Sequence, residues 1–415
     1  MKHRLLAEYH HLLTLPKKAR ILQISFALQG AAYPILSTFM SAFIWRQEGG
    51  LINVAFYHLG LFIALPIVFY LNGTLLVRFS ITRLYLYGSL LMAVSAIILV
   101  LFSQLFVLVG FIYALVGFID GAGNGFHWAN RNYLTQKETE SSCRAYFIGL
   151  NLTVDTITSI FVPLIAGWTI VTLEHAFNLP LIMSYIPLVL FAVLLLITSG
   201  ILVEKERFAS PKTALLHIQL ISPSWRAMRF LTVSLGIIEG VTFYLPTILI
   251  LEIVGNEGVL GTLTSLLAFV GMALTYSYGR KASITHHVPV LILSQFVGMI
   301  AGFFVMIAFN QFGVMLYLLL STISFSFLWI ASEPIMMDIV DVEVADNEPI
   351  RYAYILDREV FLNIGRVLSV SIVLVIAFFI NMQILFRYSL VSVFLTSILM
   401  APLWVSTLSI KNKQK

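Results

Sequence analysis

Long apolar runs separated by short polar breaks recur along the whole chain, the run containing Leu90 to Phe102 being typical. About 20 apolar residues at 1.5 Å rise each cross the hydrocarbon core of a bilayer. On that measure the runs predict spans near 20–45, 51–77, 83–103, 106–130, 145–171, 180–203, 228–253, 258–278, 288–309, 312–338, 357–380 and 384–410. Inside lipid only helices and closed barrels satisfy every backbone amide, and barrel strands would alternate apolar and polar positions. These runs are continuous, so the pattern predicts an all-α membrane protein with twelve transmembrane helices. Several breaks are very short, such as Ser103-Gln104 and Asn310-Gln311, whereas the longest, about 204–227, falls at the centre. That spacing predicts two six-helix bundles, 1–203 and 228–415, joined by a linker over 204–227.

Composition agrees with this reading and charge orients it. Hydrophobic residues make up 59% of the chain and charged residues 11%, against roughly 25% charged in soluble domains, and the mean hydropathy is +0.94. A water-soluble fold is excluded. If the N-terminus is cytoplasmic, all of the 25 Lys and Arg except Arg46, Arg387 and the in-span Arg366 fall on that side. The positive-inside rule then predicts both termini in the cytoplasm and a bacterial inner membrane. It also accounts for the net charge of +5 without a nucleic-acid partner. The basic N-terminal segment has no small-residue cleavage pattern before the first span, so that span reads as a retained signal-anchor. The single cysteine, Cys143, is expected in a polar loop and forms no internal disulfide.

Charge inside a bilayer is costly, so the in-span polar residues carry the functional information. In the fourth span Asp120, Asn124, His127 and Arg131 follow i, i+4, i+7, i+11, one face of a helix. Asn151, Asp155 and Thr158 do the same in the fifth, and Glu359, Asn363 and Arg366 in the eleventh. Gln29 and Glu239 sit near the middle of the first and seventh spans, His58 lies in the second, and Glu333 precedes Pro334 in the tenth. The third, sixth, ninth and twelfth carry no ionisable interior residue. Those four are expected to face lipid or packing partners while the others surround a polar cavity. Gln29-Gly30 and Glu239-Gly240, with Phe126-His127-Trp128 and Phe327-Leu328-Trp329, also suggest two parallel repeats about 200 residues apart.

This arrangement, with spans 1, 4, 7 and 10 central, 2, 5, 8 and 11 flanking and the rest outside, resembles the major facilitator superfamily over essentially the full length. After the second span that family has a G-x-L-a-D-R-x-G-R-R loop; here Gly73 and Arg78 remain, while Val77 replaces the acidic residue and Ser80 the second glycine. Val162 to Gly167 resembles the G-P-x-x-G-G pattern of antiporters, keeping Pro163 and Gly167. The resemblance implies a major facilitator fold and a secondary transporter that moves a small organic solute by alternating access, with a lean to export.

The residues leave their individual roles open. Asp155 and Glu239 read as proton carriers or as partners in a fixed salt bridge with Arg366, and Glu333 reads as a further proton carrier. Arg366 reads alternatively as the fork that recruits an anionic metabolite for uptake. His127 reads as a titrating or a structural histidine, Arg131 as a gate residue or a snorkelling anchor at the cytoplasmic boundary, and Trp128 and Trp329 as gate flanks or interfacial aromatics. Asp120 and Asn124 are expected to line the cavity. The acidic stretch Asp338, Asp341, Glu343, Asp346 and Glu348 reads as a solvated loop. The sequence contains no phosphate-binding glycine loop and no metal-binding spacing, which predicts no cofactor, no metal and no enzyme. The expected partners are a solute, protons and lipid, with the chain acting as a monomer. A membrane-embedded regulator or assembly factor is the remaining alternative, since fold does not fix function.

Overall fold

The computed structural model describes residues 15–47, 50–105, 110–138, 141–206, 208–210, 216–280, 287–344 and 350–413. The N-terminal segment ahead of Leu15, part of the expected linker, and Asp346 and Glu348 lie outside them. The described chain is helical throughout: α1 Lys17–Trp45, α2 Gly50–Leu75, α3 Ile81–Leu105, α4 Gly110–Glu138, α5 Ser141–Ala176, α6 Leu181–Lys205, α7 Pro223–Val254, α8 Glu257–Gly279, α9 His287–Ile307, α10 Gln311–Val344, α11 Arg351–Ala377 and α12 Met382–Met400, the last followed by a helix over Pro402–Lys413. Eleven of these are long and apolar enough to cross a membrane. The twelfth, α4, is the one that carries Asp120, His127 and Arg131 along its length. The protein is a multi-pass membrane protein, and an even number of passes leaves both ends of the described chain on one face, called here the terminal face.

Local chemistry explains several boundaries. Ser222 accepts a hydrogen bond from the Trp225 amide and so caps α7, and Asn256 and Asn381 cap α8 and α12 in the same way. Pro34 lies inside α1 and is followed by a π-helical turn over Ile35–Phe39; Pro246 in α7 is followed by another over Ile250–Val254. A proline removes one ladder hydrogen bond, and a wider turn redistributes the rest.

The halves repeat each other in detail. Ser25 of α1 is hydrogen-bonded to Ser199 of α6 at 2.7 Å, and Ser234 of α7 to Ser397 of α12 at 2.6 Å. Within each half α3 packs on α6 and α9 on α12, α2 on α4, and α7 on α11. Across the halves α2 packs on α11 and α5 on α8. The α2–α4 crossing is backbone against backbone: a Cβ on Gly60 would lie 1.9 Å from the Ala114 carbonyl oxygen, and one on Gly117 1.9 Å from that of Tyr57. Small residues permit such approach in lipid, where apolar surface alone does not drive helices together. Large apolar side chains on the outer faces, such as Leu194 of α6 and Leu293 of α9, remain exposed, as suits contact with acyl chains.

Several helices extend further than the apolar runs suggest. α4 continues through Glu138 and α10 through Val344, while α7 starts at Pro223 and α11 at Arg351. Arg131 is therefore buried inside the bundle, not anchored at its rim. Asp338, Asp341 and Glu343 lie on α10, not in a loop, and Cys143 belongs to α5. Arg131 meets Asp155 of α5, Asp341 meets Arg351 of α11, and Glu343 accepts from Ser222 ahead of α7, so polar residues that resemble an interface are accommodated by partners on neighbouring elements.

Candidate functional site

A cavity of about 420 Å³ lies between the halves. Its wall comes mainly from α1, α2 and α4 on one side and α7, α10 and α11 on the other, with Tyr33, His58, Asp120, Glu239, Glu333 and Arg366 among the contributing residues. A second cavity of about 310 Å³ adjoins it inside the N-terminal half, sharing Tyr33, Asn124 and Trp128, and reaches Gln29, His127, Arg131 and Asp155.

Most of the charges are paired between helices. Arg366 donates through Nη2 and Nε to Glu239 of α7 at 2.8 and 3.1 Å, and through Nη1 to Asn363 at 3.0 Å; its guanidinium lies 5.2 Å from the Phe62 ring centre. Arg131 donates to Asp155 at 3.1 Å, and Asn151 donates to the same carboxylate oxygen at 3.3 Å. Arg358 donates to Glu333 and, at 3.2 Å, to Glu359. The two halves thus use one device with its polarity reversed: a base on α4 meets an acid on α5, and an acid on α10 meets a base on α11. Trp128 and Trp329 occupy matching places, the first facing Arg131 at 4.9 Å and the second Arg358 at 5.8 Å, favourable cation–π distances.

Asp120 is different. It is buried and accepts from the Tyr57 hydroxyl at 2.8 Å, the Ser95 hydroxyl at 3.5 Å and the Asn124 amide at 3.3 Å, with no salt bridge among the described residues. His58, also buried, bonds through Nε2 to Ser41 and stacks on Tyr244, while its Nδ1 has no partner among the described residues. His127 packs against Tyr85, and neither ring nitrogen has a described partner. Gln29 accepts from Ser199 at 3.1 Å. Among the described residues no group of three or more His, Cys, Asp or Glu could hold a metal ion.

Contacts between the halves lie at both ends of the main cavity. On the terminal face Tyr352 of α11 donates to the Phe69 carbonyl of α2 at 2.8 Å, and the two join an apolar cluster with Leu356 and Leu216. Gly73 sits there: a Cβ on it would lie 2.5 Å from Leu216 and 3.0 Å from Tyr352, while Arg78 is exposed on the following turn. At the opposite end α5 crosses α8, a Cβ on Gly167 lying 2.2 Å from the Glu257 carbonyl oxygen and one on Gly261 2.1 Å from that of Pro163. There the Glu257 carboxylate accepts from Arg46 at 2.8 Å and from Tyr185 at 2.8 Å. Arg46, Tyr185, Glu257, Tyr57 and Arg358 are the residues that reading the spans singly overlooks. A charge flanking a short turn between two apolar runs was the available signal for Arg46 and for Glu257.

The pairing of Arg366 carries an expected result. Arg366→Gln strands Glu239, and removing one partner of a buried pair costs about 3–5 kcal/mol. Melting in detergent should fall clearly for Arg366→Gln and be partly restored in Arg366→Gln/Glu239→Gln. Equal melting of the single and double variants would contradict the pairing.

No family model matches the chain. It is 25% identical over 343 residues to the uncharacterized protein YqgE of Bacillus subtilis (strain 168), which covers 82% of this chain and 78% of that protein. It is 30% identical over 141 residues, 34% of this chain and 64% of the relative, to an uncharacterized protein in the sodM 3' region of Geobacillus stearothermophilus. Among solved structures it is similar to a bacterial homologue of the iron transporter ferroportin in the inward-facing state, with a TM-score of 0.69 and 16% identity over 95% of this chain and 98% of the other. It is likewise similar to the nucleoside transporter NupG, with a TM-score of 0.70 and 15% identity over 94% and 99%. The chain has the major facilitator fold. In that fold the two six-helix bundles face each other across the cavity described above, and the twinned Ser25–Ser199 and Ser234–Ser397 contacts are its repeat written in side chains.

Proposed function

We propose that the protein is a secondary active transporter of the cytoplasmic membrane that moves a small organic solute by alternating access, exchanging it for protons in the direction of export and acting as a monomer. The observation that carries this reading is the cavity itself: polar and charged groups from both halves converge on one space, and inter-half contacts lie at each end of it. A device of this kind functions when the two sets of contacts break in alternation, the halves 1–203 and 228–415 rocking about the solute. The basic residues on the terminal face support termini in the cytoplasm.

Proton exchange is supported most by Asp120. Asp155, Glu239 and Glu333 each have an arginine partner, so giving up their charge would disrupt an ion pair. Among the described residues Asp120 faces only the neutral donors of Tyr57, Ser95 and Asn124, and a proton or a solute can satisfy it in turn. Recruitment of an anion by Arg366 is disfavoured because its donors are engaged by Glu239 and Asn363.

Proteoliposomes loaded with a pH-sensitive dye test the reading. Addition of a transported solute should drive proton movement that protein-free liposomes lack and that Asp120→Asn abolishes. Solute movement that ignores an imposed pH gradient and survives Asp120→Asn removes proton coupling; silence across cationic, neutral and anionic solutes removes transport.

A further inference from the structure

The acids on the wall of the main cavity outnumber its bases. Asp120, Glu239, Glu333 and Glu359 stand against Arg358 and Arg366, and among the described residues no lysine lies on that wall. Both guanidinium groups are occupied, Arg366 by Glu239 and Arg358 by the Glu333 and Glu359 carboxylates together. The adjoining cavity does not supply the missing positive charge, because its Arg131 is matched by Asp155. With all four carboxylates ionised, one excess negative charge falls on the Glu333–Glu359 pair and another on Asp120. Hydroxyl and amide donors stabilise a carboxylate without cancelling its charge, so a carboxylate kept from water is relieved either by a proton or by an opposite charge.

The rest of the wall suits a cation with an apolar body. The faces of Phe62, Trp128 and Trp329 each already receive an arginine, which shows that these rings are placed to attract positive charge. Tyr33 and Tyr57 lie on the same wall with no such cation over them among the described residues, and Tyr57 holds Asp120 directly. His58 lies on the same wall, and its Nδ1 has no partner among the described residues. The volume of about 420 Å³ is within the roughly 300–1,000 Å³ typical of clefts for drug-sized molecules.

We propose that the central cavity binds an amphipathic organic cation, with Asp120 as its counter-ion and the rings of Tyr33 and Tyr57 against its apolar body. The assignment rests on reading this cavity as the solute site of a transporter, and it supplies the chemical basis of exchange: proton and cation compete for one carboxylate. Negative charge on the Glu333–Glu359 pair lies on the same wall and raises the attraction for positive solutes without being tied to any one of them.

Two probes of the same shape and opposite charge test this on the purified full-length protein in detergent, with protein-free micelles subtracted. Tetraphenylphosphonium should bind saturably, and tetraphenylborate should bind at least about tenfold more weakly. Asp120→Asn should weaken the cation about tenfold or more while the tetraphenylborate signal changes little. The comparison of the two ions needs no variant, so it stands even where Asp120→Asn fails to fold; Tyr33→Leu, which leaves the charge network intact, should weaken the cation several-fold. Preference for the borate overturns the assignment, as does a folded Asp120→Asn that binds the cation unchanged. Absence of saturable binding by tetraphenylphosphonium and by the smaller methylphenylpyridinium overturns it too. Uptake of methylphenylpyridinium into proteoliposomes separates the two readings. Cation binding without uptake keeps the site and ends the transport reading, whereas movement of a neutral or anionic solute with no cation binding does the reverse.

Discussion

Glu257→Gln should open the end of the bundle where α1, α6 and α8 meet. The Glu257 side chain is only 1% exposed, and it holds Arg46 through two nitrogens, at 2.8 and 3.3 Å, as well as the Tyr185 hydroxyl. It also stands in the first turn of α8, where the helix dipole favours a negative charge. Arg46 and Glu257 belong to different halves, so their bond exists only while this end is closed. Taking the charge off one partner leaves the other uncompensated, at a cost of about 3 kcal/mol, the low end for buried pairs because Arg46 is partly exposed. At about 1.4 kcal/mol per factor of ten, the closed arrangement should lose on the order of a hundredfold in population. Spin labels at Phe177 and Phe312, both exposed, with Cys143 replaced by serine, would read the separation of the halves there. An unchanged distance distribution in Glu257→Gln would falsify the role of this contact.

Gly117→Leu should prevent accumulation of folded protein. The Cβ alone would sit 1.9 Å from the Tyr57 carbonyl oxygen, and Gly121 on the next turn is almost as close to Leu61. Overpacked cores that relax by side-chain movement lose about 1–3 kcal/mol, but here the obstacle is backbone and the helices must part. Separation of α2 from α4 also pulls the Tyr57 hydroxyl from Asp120, so the site is lost with the crossing. Gly149→Ala is the matched control: no heavy atom lies within 4 Å of the new Cβ, and alanine is favoured in a helix by about 1 kcal/mol. Gel-filtration profiles and melting curves should separate the two variants cleanly, and a monodisperse Gly117→Leu with normal melting would show the crossing to be looser than described.

Much of the cavity lining was readable from helical spacing. Asp120, Asn124, His127 and Arg131 share one face of α4, and that face does meet the cavities. Spacing reports azimuth along one helix, however, and says nothing about which neighbour lies opposite. Asp155 and Glu239 were both open partners for Arg366, whereas the fold joins Arg366 to Glu239 and gives Asp155 to Arg131. Arg358 was counted with the cytoplasmic basic residues because it flanks an apolar run; in the bundle it lies against Glu333 and Glu359. The boundaries of α4, α7, α10 and α11 moved for the same reason, since hydropathy registers a paired charge as a polar one.

The sequence by itself determined that the chain crosses a membrane about twelve times as helices, and that its in-span polar groups are concentrated on α1, α2, α4, α5, α7, α10 and α11. Both follow from lipid being a solvent that tolerates neither bare amides nor scattered charge. Only the tertiary structure decided which charges neutralise each other, that Arg46 and Glu257 meet across 211 positions of sequence, and that Asp120 has no base beside it among the described residues. Those outcomes depend on the rotation and depth of one helix against another, and side-chain packing between helices sets both.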